Sequence, residues 1–134
     1  MLQESEANLS ALKELRELGC GIALDDFGTG YSSLSHLRAF PFTKIKIDKS
    51  FVKELGNKPD CAAIVRAVAD LGRSLDVPVI AEGVETRAQL DFVRAASCRQ
   101  AQGFLFSPPV PVWEVEAIIK RRKRVTKKVA ERAA

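Results

Sequence analysis

The sequence contains no run of eighteen or more uncharged apolar residues, and its first twenty residues are charged and helix-like. Both features argue against a transmembrane span and a secretory leader, and they make the cytoplasm the expected location. Cysteine is scarce. Cys20, Cys61 and Cys98 are odd in number and widely separated, with no CxxC pair and no histidine at zinc-ligand spacing. They read as buried thiols rather than as a metal or disulfide framework. Only one histidine is present, His36. It pairs with no nucleophile, so it reads as a helix-surface or packing residue, and serine- or cysteine-based hydrolysis finds no support. Gly28-x-Gly30 lacks the third glycine of a dinucleotide fingerprint, and neither an internal repeat nor a low-complexity linker is visible.

What is present suits one soluble globular domain. The chain has 134 residues, 46% hydrophobic and 28% charged, enough for a single core but not for two complete domains. Its net charge of +4 is unevenly spread: eight Lys or Arg and one Glu follow from Lys120 onward, a tail of +7 that leaves −3 for residues 1–119. Residues 1–119 are therefore expected to form the domain, and 120–134 a basic helical or flexible tail. Clustered basic residues can bind nucleic acid or anionic membranes. Here no aromatic is interleaved with the charges, so a solvated extension is the expectation and no nucleic-acid partner is predicted.

Short apolar runs alternate with helix-period stretches, the pattern of βα units on a parallel sheet. Strands are expected at 21–27, 43–48, 77–82 and 101–106. A helix over 6–18 carries Leu9, Leu12, Leu15 and Leu18 on one stripe, and Gly19 follows as a left-handed cap. Residues 61–75 place Ile64, Val68, Leu71 and Leu75 on one face behind Asp60 as N-cap. Thr86 and Gln89 form a capping box for a helix with Leu90 and Val93, and Pro111 suits the first turn of a last helix through Trp113 and Ile118. The seven phenylalanines lie in or beside these elements and read as core.

Ionisable groups gather at the strand ends: Asp25 and Asp26, Lys46 and Asp48, Glu82. In α/β folds that edge binds ligands. Period-two alternation puts Lys44, Lys46 and Asp48 on one face of their strand and Ile45 and Ile47 on the other, which implies a polar cavity or barrel mouth. Adjacent carboxylates suit hard divalent cations, although Asp is also common in turns and caps. Two glycines follow at once in Phe27-Gly28-Thr29-Gly30, as a mobile ligand-approaching loop would have.

Four segments, DDFGTGYSSL at 25–34, KIDKSFV at 46–52, AEGVET at 81–86 and QGFLFSPP at 102–109, resemble in order and spacing the signatures of EAL domains. That family hydrolyses cyclic di-GMP to pGpG on a modified (β/α)8 barrel with Mg²⁺ or Mn²⁺. The resemblance implies an α/β fold, a partial TIM-type barrel of about four βα units preceded by a helix. It also implies cyclic di-GMP as ligand, Asp25 and Asp26 as metal ligands, and Lys46 as the lysine that contacts metal-bound water. Glu82 corresponds to the glutamate acting as general base, and Gln102 to the active-site glutamine near the start of its strand. Gly28, Thr29, Gly30, Tyr31, Ser32 and Ser33 correspond to the loop that couples substrate, metal and dimerisation.

The Glu-Ala-Leu tripeptide, a later asparagine ligand and the Glu-Ser-x-Leu glutamate have no counterpart here. The similarity thus corresponds to the C-terminal half of the domain, and the segment is expected to be inactive alone. It would work with a complementing N-terminal half, or close its sheet as a homodimer. The alternatives are a non-catalytic nucleotide-binding or interaction module in cyclic di-GMP signalling, and a nonfunctional remnant.

Overall fold

The computed structural model of the chain describes residues 6–28, 37 and 40–120. His36, the loop residues 29–33 and the tail from 121 lie outside them. Helix α1 (Glu6–Glu17) is followed by strands β1 (Ala23–Phe27) and β2 (Lys44–Ile47), the short helix α2 (Lys49–Lys53) and the long helix α3 (Pro59–Ser74). Strand β3 (Val79–Ala81), helix α4 (Arg87–Ala95) and strand β4 (Gln100–Ala101) come next. Residues 112–120 are helical again.

All three strand pairings are parallel and the sheet order is β1-β2-β3-β4. A doubly wound sheet reverses its strand order at a switch point, whereas a barrel adds each new strand on the same side. The order here is that of a barrel wall. The expected four strands are all present. The last is much shorter than predicted: residues 102–106 leave the sheet in a turn, with Leu105 N–H donating to Val84 O at 3.1 Å and Phe106 N–H to Gly103 O at 3.1 Å. A Cβ at Gly103 would fall 2.2 Å from Val84 O, so only glycine lets these two connections approach this closely. The turn brings Leu105 and Phe106 partly into the core but leaves Phe104 64% exposed, against the expectation of a buried ring.

The core lies between the sheet and α3 and α4. Ile45 and Ile47 are completely buried while Lys44 and Lys46, on the opposite face, are half-buried. Burying one such aliphatic side chain stabilises the fold by roughly 1.5–3 kcal/mol. Helix α3 buries Cys61, Val65, Val68, Ala69 and Gly72, a stripe rotated from the one its large residues predict. Leu75 is exposed, and Ile64 and Leu71 only flank the contact. The cause is Gly72: a Cβ there would lie 2.1 Å from Val79 Cγ2, so the helix meets β3 through its smallest side chains.

Helix ends follow the expected chemistry with two exceptions. Gly19 takes φ +84° after α1, and Thr86 and Gln89 make the full capping box of α4. Asp60, however, lies inside the first turn of α3; Lys58 is the N-cap and offers no side-chain bond, with Pro59 at the first helical position. Pro111 precedes the last helix, and its carbonyl accepts from Glu114 N–H at 3.0 Å. Cys61 and Cys98 are buried as expected, but Cys20 is exposed just past α1. Along α1, Leu9 and Leu12 are half-buried, and Leu15 and Leu18 are 42% and 79% exposed.

Candidate active site

Strand β1 departs from simple alternation where it matters. Leu24 pairs with Ile45 and Phe27 with Ile47, so Asp25 and Asp26 together face the one intervening residue, Lys46. This two-against-one arrangement is a β-bulge. Asp26 takes up the extra residue with φ +51°, a left-handed conformation that Asp tolerates better than most side chains. Leu24 and Phe27 stay buried while both carboxylates remain exposed. Without the bulge, a period of two would bring Asp26 to the face of Leu24.

Lys46 comes from the central strand and reaches sideways to both neighbours. Its Nζ donates to Asp25 Oδ1 and Oδ2 at 2.9 and 3.0 Å and lies 2.7 Å from Glu82 Oε1, just past β3. Glu82 N–H donates to Ile47 O at 3.2 Å, which fixes its backbone beside β2. The hydrogen bonds to Glu82 first, and then to Asp25, hold the Lys46 ammonium protonated above the ordinary lysine range. Carboxylate oxygens of Asp25, Asp26 and Glu82 all lie within 4.8 Å of one another. Three oxygen donors at this spacing fit a hard divalent cation, with further ligands needed to reach six.

Asp48, expected on the strand face with Lys46, instead ends the strand and caps α2, accepting from Ser50 N–H at 2.9 Å and from the Ser50 hydroxyl. The hydroxyl bond, then the backbone bond, lowers its carboxyl below the usual range. Gln102, expected near the start of its strand, lies just beyond the end of β4. It is tied to the β3 side by Gln102 N–H to Ala81 O at 2.9 Å and Val84 N–H to Gln102 O at 3.0 Å. Gln102 therefore lies at the same edge as the carboxylates. Gly28 (φ +105°) follows β1 directly, and a Cβ on it would sit 2.8 Å from the Phe51 ring. That Glu82 joins the aspartates within one cluster was not visible from residue types; its place at a strand end and the resemblance of AEGVET were the signals.

A groove of about 820 Å³ lies at the other end of the sheet, lined by Gly72, Asp76, Pro78, Arg94 and Arg99 among others. Arg73 and Arg94 stand in the last turns of α3 and α4, where cations favour the negative end of a helix.

A parallel, singly wound α/β sheet with carboxylates and a lysine at its C-terminal strand ends defines this chain as part of a TIM-barrel-like fold. The EAL domain family model matches residues 1–109, and the chain belongs to that family. It is 44% identical over 118 residues to the bifunctional diguanylate cyclase/cyclic di-GMP phosphodiesterase MucR of Pseudomonas aeruginosa, covering 88% of this chain and 17% of MucR. A solved MucR phosphodiesterase in complex with c-di-GMP superposes with TM-score 0.80 at 45% identity, over 85% of this chain and 46% of that one. The manganese/c-di-GMP complex of BlrP1 from Klebsiella pneumoniae gives 0.72 at 40% identity, covering 78% of this chain and 26% of that one. The chain spans 14–17% of the length of the first curated relatives it matches. Among the described residues, no helix is long and apolar enough to cross a membrane.

Proposed function

We propose that this chain supplies one half of a metal-dependent cyclic di-GMP phosphodiesterase site. The observation that carries the reading is the convergence of Asp25, Asp26 and Glu82 around Lys46 from three adjacent strands. Asp25 and Asp26, with Glu82 close by, would hold Mg²⁺ or Mn²⁺. Such an ion, when bound, lowers the pKa of a water and offsets charge on the phosphodiester.

The remaining work falls to side chains. Lys46 places a positive charge where the phosphate oxygens gain negative charge. Glu82 lies within reach of the same region and accepts the proton of the attacking water. Gln102 offers an amide at the adjoining strand end, and Gly28 follows β1 directly after the two aspartates. Another four βα units, from a longer chain or a second one, complete the barrel and the ligand set.

The test is a chromatographic assay of pGpG formed from cyclic di-GMP with Mn²⁺, on this chain mixed with a segment carrying the Glu-Ala-Leu half and on a Glu82→Gln control. Hydrolysis by the mixture and not by the control supports the reading. Tight binding without hydrolysis in a folded mixture would replace it with a receptor role, and neither binding nor hydrolysis would overturn it.

A further inference from the structure

Lys46 turns its ammonium onto the cluster, contacting both oxygens of Asp25 and Oε1 of Glu82. These are the oxygens a divalent ion would take. The backbones around them are fixed by the β1-β2-β3 ladder, so the group free to yield is the lysine, whose four-carbon stem can withdraw without moving the strand.

We propose that Lys46 is the built-in counter-cation of the carboxylate cluster, holding Asp25 and Glu82 when no divalent ion is bound and giving way when one binds. This rests on the metal reading above. A single and a double positive charge about 4 Å apart repel enough, even at the permittivity of water, to weaken binding roughly thirtyfold. Without either cation, three carboxylates with oxygens within 4.8 Å of one another would repel. The lysine thus keeps the empty site assembled at the expense of affinity. Once displaced, its ammonium lies beside the loaded site, available to an anionic ligand, so that metal loading and ligand anchoring are coupled.

The experiment is a Mn²⁺ titration of this chain followed by the electron paramagnetic resonance of free Mn²⁺, with thermal unfolding in EDTA and in Mn²⁺ as a second readout. Lys46→Gln and Lys46→Met remove the charge; Lys46→Arg keeps it. Both neutral variants are expected to bind Mn²⁺ at least tenfold more tightly than the parent, to melt lower in EDTA, and to gain more from Mn²⁺. Lys46→Arg should bind no more tightly than the parent. A parent that binds while the neutral variants bind equally or more weakly would overturn the inference and leave the metal reading standing. No binding by parent or folded variants at millimolar Mn²⁺, alone or mixed with a segment carrying the Glu-Ala-Leu half, would overturn both.

Discussion

At the N-terminal edge of the sheet, α1, α3 and α4 all close with the same turn. A backbone N–H two residues past the cap bonds back to the last helical turn: Cys20 to Leu15 at 3.0 Å, Val77 to Gly72 at 2.8 Å and Cys98 to Val93 at 3.1 Å. An inner bond lies beneath each, from Gly19, Asp76 and Ser97. This is the Schellman motif, three times over. At the C-terminal edge no two strand ends are alike: a bulge ends β1, an aspartate cap ends β2, a glutamate follows β3 and a glycine-dependent turn follows β4. The repeated edge satisfies helix ends and holds the core. The irregular edge gathers charge, at a residue with strained φ and around half-buried ions, and the separation of roles within one sheet follows from where each strand's loops can reach a ligand.

The sharpest way to break that comparison is to remove charge from one edge and packing from the other. In the completed barrel, Glu82→Gln should lower cyclic di-GMP turnover by about 10²–10⁴-fold, with little change in the urea midpoint. Gly72→Ala should do the reverse. Its methyl meets Val79 and the Val77 carbonyl, and the chain should lose about 2 kcal/mol in urea unfolding, even after the gain in helix propensity, while the folded fraction keeps its turnover.

A smaller effect belongs to the buried thiol of Cys98, which desolvation pushes up to about 11 from 9.0. The unfolded chain therefore loses this proton first. Stability is full below pH 9 and falls between pH 9 and 11, by about 2 kcal/mol. Cys98→Ala should flatten that part of the profile. Lys46, raised in the fold, adds its own loss only above its ordinary 10.5, so the difference between parent and variant isolates the thiol. The smallest effect concerns two non-glycine residues in the repeated turns, Asp76 at φ +54° and Ser97 at φ +63°. Asp76→Gly and Ser97→Gly should each stabilise the fold by about 0.5–1 kcal/mol in the same assay.

Much of this division was legible in the sequence. The alternation in TKIKID foretold a polar face around Lys46, and the Thr86 to Gln89 spacing foretold a cap that the fold forms in full. The misses share a cause. The fourth strand, the buried face of α3 and the exposure of Phe104 all depend on glycines, Gly72 and Gly103, whose effect is the backbone approach they permit, and no hydrophobic period records that. Leu15 and Leu18 satisfy helical periodicity without meeting the described core. The bulge is likewise invisible to residue type: two aspartates read equally well as a turn, a cap or a site until their pairing with β2 is known.

That bulge has a consequence for how the molecule can change. Because β1 spends three steps where β2 spends two, the ladder is back in phase at Phe27 and Ile47, and the residue it skips carries no duty in the core. Asp26 stands outside the core as a thumb stands outside a grip already closed by the fingers. A descendant of this chain could lose its acids there and remain a sound barrel wall, keeping the shape of an enzyme after ceasing to be one.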